Sequence, residues 1–475
     1  MRRLLMIAYH FPPSLLVGRI RTVKFSKYLP QFSWQPVVLT CQPPPGTPCD
    51  PHHEIPPGTE VHRIGQDNFH PWLTAGAATA RTIIGRATGF LRPTRSESSG
   101  RQSPGTLGLG RGSTLSTWLR TLTFWPDSQC TWIPAAARKA LALARSCDAI
   151  YSSGNPWSDH TIAWRVREFT SLPWIMDYRD PWMISGLEQY PFSLQRRLIE
   201  HLEHRCVATS DRVLQTTDPR TRMYQEAYPD QPKHKFITLA NGFDPDDFEG
   251  LPSPKPEFPM TMTYLGTLGP DRSTAALIPA LTLLRQRNQI KSGELRVGLI
   301  GRNTPEYPKA IEQAGLSDMF DLVPPMPRHM ALAALARSHV ALLLGGPRFE
   351  KIAIPTKFYE YLAMNKPILA LIPKGHMSAK LETAGVGCVD FLDAEQIADA
   401  ILGILKEFRR RKCLDPPKPL PEMAQYSRKH LTGRLASLLN EIALIDGKCQ
   451  HGRREAQTDL GPSTCLNARI KTQKN

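Results

Sequence analysis

The sequence predicts an α/β protein built from two doubly wound, Rossmann-like domains that face a cleft. Three observations carry this prediction. Short apolar runs alternate with helix-period segments over most of the chain, the signature of parallel sheets crossed over by helices. A second series of the same kind begins after the proline-rich stretch Leu251–Pro259, whose composition suits a linker. At 475 residues the chain is long enough for two domains, each with its own core.

Taken in order, Leu4–Tyr9 and Pro36–Thr40 read as buried strands, and Ile20–Leu29 between them has apolar residues at helical spacing. Together they make one βαβ unit. Strands follow at Asp148–Tyr151, Trp174–Met176 and Arg212–Gln215, with helices at Pro134–Arg145, Ser158–Phe169 and Phe192–Val207. Residues 42–60 read as a loop, and 92–113, which lacks periodicity and large apolar side chains, as a mobile insertion. The second series has strands at Met262–Leu265, Arg296–Ile300, Val340–Leu344 and Pro367–Ile372. Its helices are expected at Ala275–Arg287, Met330–Arg337, Thr356–Met364 and Ala394–Phe408. A last helix pattern, Arg428–Ile445, follows a second proline cluster. The expected organisation is a domain over 1–245, a linker over 246–259, a domain over 260–415, a C-terminal helix over 416–446 and a disordered basic tail over 447–475.

Composition excludes several classes. Apolar residues make up 41% and charged residues 21%, too apolar for disorder, and 32 Gly and 44 Pro without a repeat exclude a collagen-like chain. No run of 18 apolar residues occurs, so no transmembrane helix is expected. Nine cysteines without a C-x-x-C pair fit a reducing compartment, the cytoplasm, rather than a disulfide or zinc framework. The net charge of +16 calls for an anionic partner, and residues 1–120 hold 14 Lys and Arg against 5 Asp and Glu. No RNA-binding motif with interleaved aromatics is visible, so nucleic acid is not the expected partner.

Ligands of doubly wound folds meet the carboxyl ends of the strands. There the chain places the loop His10–Arg19, with Gly18 entering a helix, where backbone N–H groups and the helix dipole can receive an anion and Arg19 or Arg21 adds charge. It also places Ser152-Ser-Gly-Asn-Pro after one strand, with His160 further on, and Asp177, Arg179 and Asp180 after the next. The alternative for the last three is a structural Arg179–Asp180 ion pair, with His160 capping or packing. In the second half, Gly266 to Arg272 is strand, glycine loop and cation, and Thr356, Lys357 and Glu360 open a helix. Lys357 opposes the dipole of that helix, which favours an anionic ligand, while Glu360 either pairs with Lys357 or accepts from two vicinal ribose hydroxyls. Asp244-Pro-Asp246 imitates a metal-binding D-x-D pattern but stands in a turn-rich loop, and is read as turn and capping chemistry.

These motifs, in order, resemble the family-4 glycosyltransferases of the GT-B fold, and especially a bacterial subgroup placed in polysaccharide biosynthesis. The residues that carry the resemblance are Tyr9-His-Phe-Pro-Pro, Lys27-Tyr-Leu-Pro with Trp34-Gln-Pro-Val-Val-Leu-Thr, and Tyr151-Ser-Ser-Gly-Asn-Pro. Further on they are Pro173-Trp-Ile-Met-Asp-Tyr-Arg-Asp-Pro-Trp, Leu239-Ala-Asn-Gly-Phe-Asp, and Pro355-Thr-Lys-Phe-Tyr-Glu-Tyr-Leu-Ala with Lys366-Pro-Ile-Leu. The resemblance implies a retaining sugar transfer that needs neither metal nor cofactor. A nucleotide-sugar donor would be held by Gly18, Gly266, Arg272, Thr356, Lys357 and Glu360, with Glu360 on the ribose. The acceptor, a glycan or a lipid-linked sugar, would be met by Asp177, Arg179, Asp180 and His160 in the N-terminal domain. It further implies a C-terminal helix that crosses back to that domain. The chain departs from the family pattern at Leu15 and Leu16, where adjacent glycines are usual, at Thr267, where an arginine is common, and at Ile352, where a second glutamate is usual. A nucleotide-sugar epimerase of the same fold and a catalytically degenerate sugar-nucleotide binding protein are the alternatives. The basic first quarter of the chain suits an anionic membrane surface as a partner, hence peripheral attachment at the inner face of the cell membrane.

Overall fold

The computed structural model describes residues 1–16, 18–47, 49, 55–65, 125–184, 190, 192–269, 276–302, 306–346 and 354–458, and of 306 and 445–458 the backbone alone. The expected insertion at 92–113 lies outside the described residues, as do Arg272, Glu350 and Ile352.

The first sheet has seven parallel strands: β1 (Arg2–Ile7), β2 (Trp34–Cys41), β3 (Glu60–Ile64), β4 (Ala149–Gly154), β5 (Trp174–Tyr178), β6 (Arg212–Gln215) and β7 (Phe236–Thr238), in the spatial order 3-2-1-4-5-6-7. Its helices among the described residues are α1 (Arg19–Tyr28), α2 (Ile133–Ala144), α3 (Ser158–Phe169), α4 (Ser193–Thr209) and α5 (Asp218–Ala227). β1, β2 and β4 to β6 are buried on both faces, which is why they read as continuous apolar runs rather than alternating ones. β3 is half-buried at the edge, and only Val61 and Ile64 of its five residues are apolar. It falls in and just beyond the stretch expected to be loop.

The second sheet has six parallel strands: β8 (Met260–Leu265), β9 (Leu295–Ile300), β10 (Phe320–Val323), β11 (Val340–Leu344), β12 (Ile368–Leu371) and β13 (Cys388–Val389), in the order 10-9-8-11-12-13. Helices α6 (Leu277–Gln286), α7 (Glu306–Gln313), α8 (Arg328–Arg337), α9 (Thr356–Ala363), α10 (His376–Thr383) and α11 (Ala394–Arg411) cover it. In each sheet the strand order reverses at the first strand, β1 or β8, which places a crevice at its carboxyl end.

The last helix, α12 (Arg428–Thr458), returns to the first domain. Leu431, Leu435, Ala436, Leu439 and Ile442 join Leu4, Met6, Phe25 and Tyr151 in one buried cluster. The helix runs on to Thr458 through residues expected to be disordered from 447, so that expectation is corrected for 447–458, and 459–475 lie outside the described residues. Its first residue, Arg428, is only 1% exposed, and burial together with neighbouring Arg21 lowers its pKa to about 10. Among the described residues no helix is long and apolar enough to cross a membrane.

Candidate functional site

A cavity of 270 Å³ opens between the loop after β1 and the carboxyl ends of β8, β9 and β10. Leu15, Leu16, Arg19 and Ile20 form its wall on the N-terminal side. Opposite them stand Leu265, Gly266, Thr267, Ile300, Gly301, Arg302, Arg328, Thr356, Lys357 and Glu360. Four cations against one carboxylate make the cavity suited to an anion, and its aliphatic walls leave room for an apolar ring.

The local chain explains how these groups meet. Gly266 has φ +143° and Gly301 φ +139°, backbone that L side chains rarely adopt. A methyl group on Gly266 would also overlap the Lys357 ammonium, and one on Gly301 would overlap the Gly266 carbonyl. The two glycines therefore let the β8 and β9 loops touch and admit Lys357 between them. Lys357 Nζ lies 3.2 Å from the Tyr264 hydroxyl and 4.3 Å from the centre of its ring. Thr356 is the first residue of α9, behind Pro355, and no side chain caps that end. The orphan backbone N–H groups and the positive end of the helix dipole thus stand at the cavity.

Glu360 is 4% exposed and does not pair with Lys357 as the three-residue spacing allowed. Its Oε1 accepts from Arg328 at 2.6 Å, a partner 32 residues earlier in the chain. Arg302 and Arg328 are cavity residues that sequence reasoning missed, whereas Arg19, which the sequence offers as a charge for an anion, does line the cavity. Arg328, like Arg19, carried a signal, a cation at the first position of a helix, where the dipole disfavours it.

On the N-terminal side the structure separates the expected acceptor residues. Asp177 is wholly buried: Arg21 Nε donates to its Oδ2 at 2.7 Å, Arg21 Nη2 to Oδ1 at 3.2 Å, and Tyr151 also donates to it. Arg21 in turn donates to the carbonyls of Leu239 and Ala240 at 2.8 and 2.7 Å. Burial works against the Arg21 charge, and Asp177 more than offsets it. Asp177 thus faces the underside of α1 rather than the cleft.

His160 is likewise enclosed. Its Nδ1 is 2.8 Å from Ser152 Oγ, its ring packs with Tyr178 and Trp157, and burial, then Arg179, lowers its pKa to about 3. It is a neutral packing residue that fills the space left by the missing side chain of Gly154.

Arg179 and Gly18 do come together, because a methyl group on Gly18 would overlap the Arg179 guanidinium. His10 completes that corner, its pKa lowered to about 4 by burial and then by Arg179. Asp180 is exposed and forms no ion pair with Arg179 among the described residues. Under this turn the buried Arg220 donates to the Arg179 carbonyl at 2.9 Å. Asp159, not singled out by the sequence, is wholly buried and accepts the Tyr9 amide at 2.9 Å, and burial raises its pKa well above the usual range.

Asp244 accepts the Asp246 amide at 3.3 Å, and it also takes Lys24 at 2.6 Å, Lys27 at 2.8 Å and the Tyr28 hydroxyl at 2.6 Å. Among the described residues no group of three or more His, Cys, Asp or Glu is placed to hold a metal ion.

The chain matches no protein-family model and no curated protein sequence. Solved structures do resemble it. The Anabaena protein HepE in complex with UDP has a TM-score of 0.53 at 12% identity, covering 96% of this chain and all of that one. Sucrose-phosphate synthase from Thermosynechococcus elongatus has a TM-score of 0.54 at 14% identity, with the same coverage. An α,α-trehalose 6-phosphate synthase from Burkholderia multivorans has a TM-score of 0.57 at 12% identity, over 94% of this chain and all of that one. At such identities the likeness establishes the fold: two parallel-sheet α/β domains about a cleft, in the GT-B arrangement.

Proposed function

We propose that the chain is a glycosyltransferase that moves a sugar from a nucleoside diphosphate to a glycan or lipid-linked acceptor. The observation that carries this reading is the cavity at the α9 N-terminus, where one nearly buried carboxylate stands among four cations. The similar structures support it at a coarser level, since one holds UDP and two are named as sugar-phosphate synthases.

In this reading Glu360 accepts from the ribose hydroxyls. Lys357, the Thr356 amide, Arg19 and Arg302 meet the diphosphate, and Arg272 joins them as the family resemblance implies. As the bond from the sugar C1 to the diphosphate oxygen breaks, negative charge grows on the leaving group. Fixed cations and helix N–H groups stabilise that charge without a metal. The acceptor hydroxyl bonds to C1 on the same face and its proton passes to the leaving phosphate oxygen, so the transfer is retaining and uses no protein nucleophile. Arg179, held against Gly18, and exposed Asp180 orient the acceptor, while Asp177 and His160 support the scaffold beneath them. Membership of family 4, a role in cell-surface polysaccharide synthesis, and residence in the cytoplasm against an anionic membrane belong to the same proposal. Co-sedimentation with anionic vesicles at low salt is expected, and its absence removes the membrane part.

The deciding experiment is a thermal-shift panel of nucleoside diphosphates and their sugars, since a ligand of the native state raises the melting temperature. One of them is expected to stabilise the chain, and Glu360→Gln to weaken it by roughly 10- to 100-fold, the worth of hydrogen bonds to a charged group. No shift with any nucleotide overturns the reading.

A further inference from the structure

The carboxylate assigned to the ribose is not left to orient itself. Arg328 occupies Glu360 Oε1 at 2.6 Å, so Oε2 has no hydrogen-bond partner among the described residues although Glu360 lines the cavity. A glutamate carboxylate on its own rotates within a broad, roughly two-fold torsion, and a fixed partner on one oxygen sets its plane.

The position of Arg328 is itself informative. It is the first residue of α8, where the helix dipole works against a cation, and two carboxylates hold it there. The second is Asp247, whose Oδ2 accepts from Arg328 Nη2 at 3.0 Å. Asp247 sits on the 3-10 turn Pro245–Phe248 between the two sheets, and its Oδ1 accepts from Lys24 of α1 at 2.5 Å. Charges of alternating sign, Lys24, Asp247, Arg328 and Glu360, therefore run from the N-terminal domain through the connecting segment to the cavity wall.

We propose that Arg328 is a positioning residue for nucleotide recognition: by pinning Glu360 Oε1 it aims Oε2 at the vicinal ribose hydroxyls, and through Asp247 it ties that aim to the pairing of the domains. The proposal rests on the reading of the cavity as a nucleoside-diphosphate site. It accounts for Glu360 taking its partner from another helix, while Lys357 one turn away lies against Gly266 and the Tyr264 ring. It also makes ribose recognition sensitive to Asp247, a residue that does not line the cavity.

The test is titration calorimetry of the full chain with UDP, GDP and ADP and their 2′-deoxy counterparts. For the nucleotide that binds, the wild type is expected to lose about tenfold or more in affinity when the 2′-hydroxyl is removed, because the site's acceptor is then left unpaired. In Arg328→Ala the ribo and deoxy forms are expected to bind within about twofold of each other, and Asp247→Asn to fall between. A merely structural arginine would weaken both forms by one factor, so an unchanged ratio in Arg328→Ala overturns the positioning role and leaves the donor site standing. Should Arg328→Ala not fold, the ratio in Asp247→Asn decides, and an unchanged ratio there overturns the role. Failure of the wild type to bind any of the three nucleotides overturns the donor-site reading as well.

Discussion

At the scale of single residues, the charges that follow β5 have divergent fates. Asp177 and Asp180 are three apart and equally polar, yet one is wholly buried and the other exposed. The sequence shows that charge follows an apolar strand, but not that Arg21, 156 positions earlier, is the partner that draws Asp177 inward. Pairing across such a separation leaves no local spacing to read. By contrast Gly266 and Lys357 were legible, because a glycine after a strand and a lysine opening a helix each imply close approach to a ligand. The burial of Asp177 makes a prediction that separates scaffold from chemistry. Asp177→Asn leaves the Arg21 guanidinium buried without its counter-charge, which typically costs about 3–5 kcal/mol. The expected outcome is a large drop in the urea midpoint at pH 7, with residual activity following the folded fraction. A variant as stable as the wild type but inactive would instead return Asp177 to the reacting groups.

At the scale of elements, α1 was legible from its apolar spacing, and the strands buried on both faces from their continuous apolar runs. β3 and α5 were not. β3 has only two apolar residues on a half-buried edge, and α5 is rich in charge and buries only Arg220, Thr221 and Tyr224. The tail beyond Gly447 was missed for the opposite reason, since a polar composition does not stop a helix already nucleated by packing upstream. What fixes α1 to the connecting segment is Asp244, which takes two lysines and a tyrosine from that one helix. Burial opposes ionisation of Asp244, yet those donors outweigh it and lower its pKa to about 2. A carboxylate whose folded pKa lies below its unfolded value near 3.9 contributes stability above pH 4 and loses it as the pH falls towards 2. The contribution at neutral pH is about 2–3 kcal/mol. Urea unfolding of wild type and Asp244→Asn is therefore expected to differ most at pH 5–7 and to converge towards pH 2.5. A constant difference over that range would mean that the lysines do not recognise the charge.

At the scale of the whole molecule, the two-domain plan was legible because each half repeats the same alternation and a proline-rich segment divides them. The division of labour at the cleft was not legible, because the cavity mixes residues from both halves. Its N-terminal wall consists of Leu15, Leu16, Arg19 and Ile20, and the first two occupy the places where the resembling family has glycines. Leucines there enclose the cavity with apolar surface, while Arg19, only 3% exposed, brings a cation from the domain opposite α9. A ligand held in this cavity must then bind both domains at once, and its affinity must depend on a residue that the C-terminal domain does not own. Arg19→Ala is expected to weaken nucleoside diphosphate binding by roughly tenfold, the worth of one hydrogen bond to a charged group. The effect should be smaller for the corresponding nucleoside, which lacks the phosphates. Calorimetry with the diphosphate and the nucleoside reads both. Equal weakening of the two would assign Arg19 to the packing of the cavity wall, and unchanged binding of the diphosphate would mean that the ligand sits wholly within the C-terminal domain.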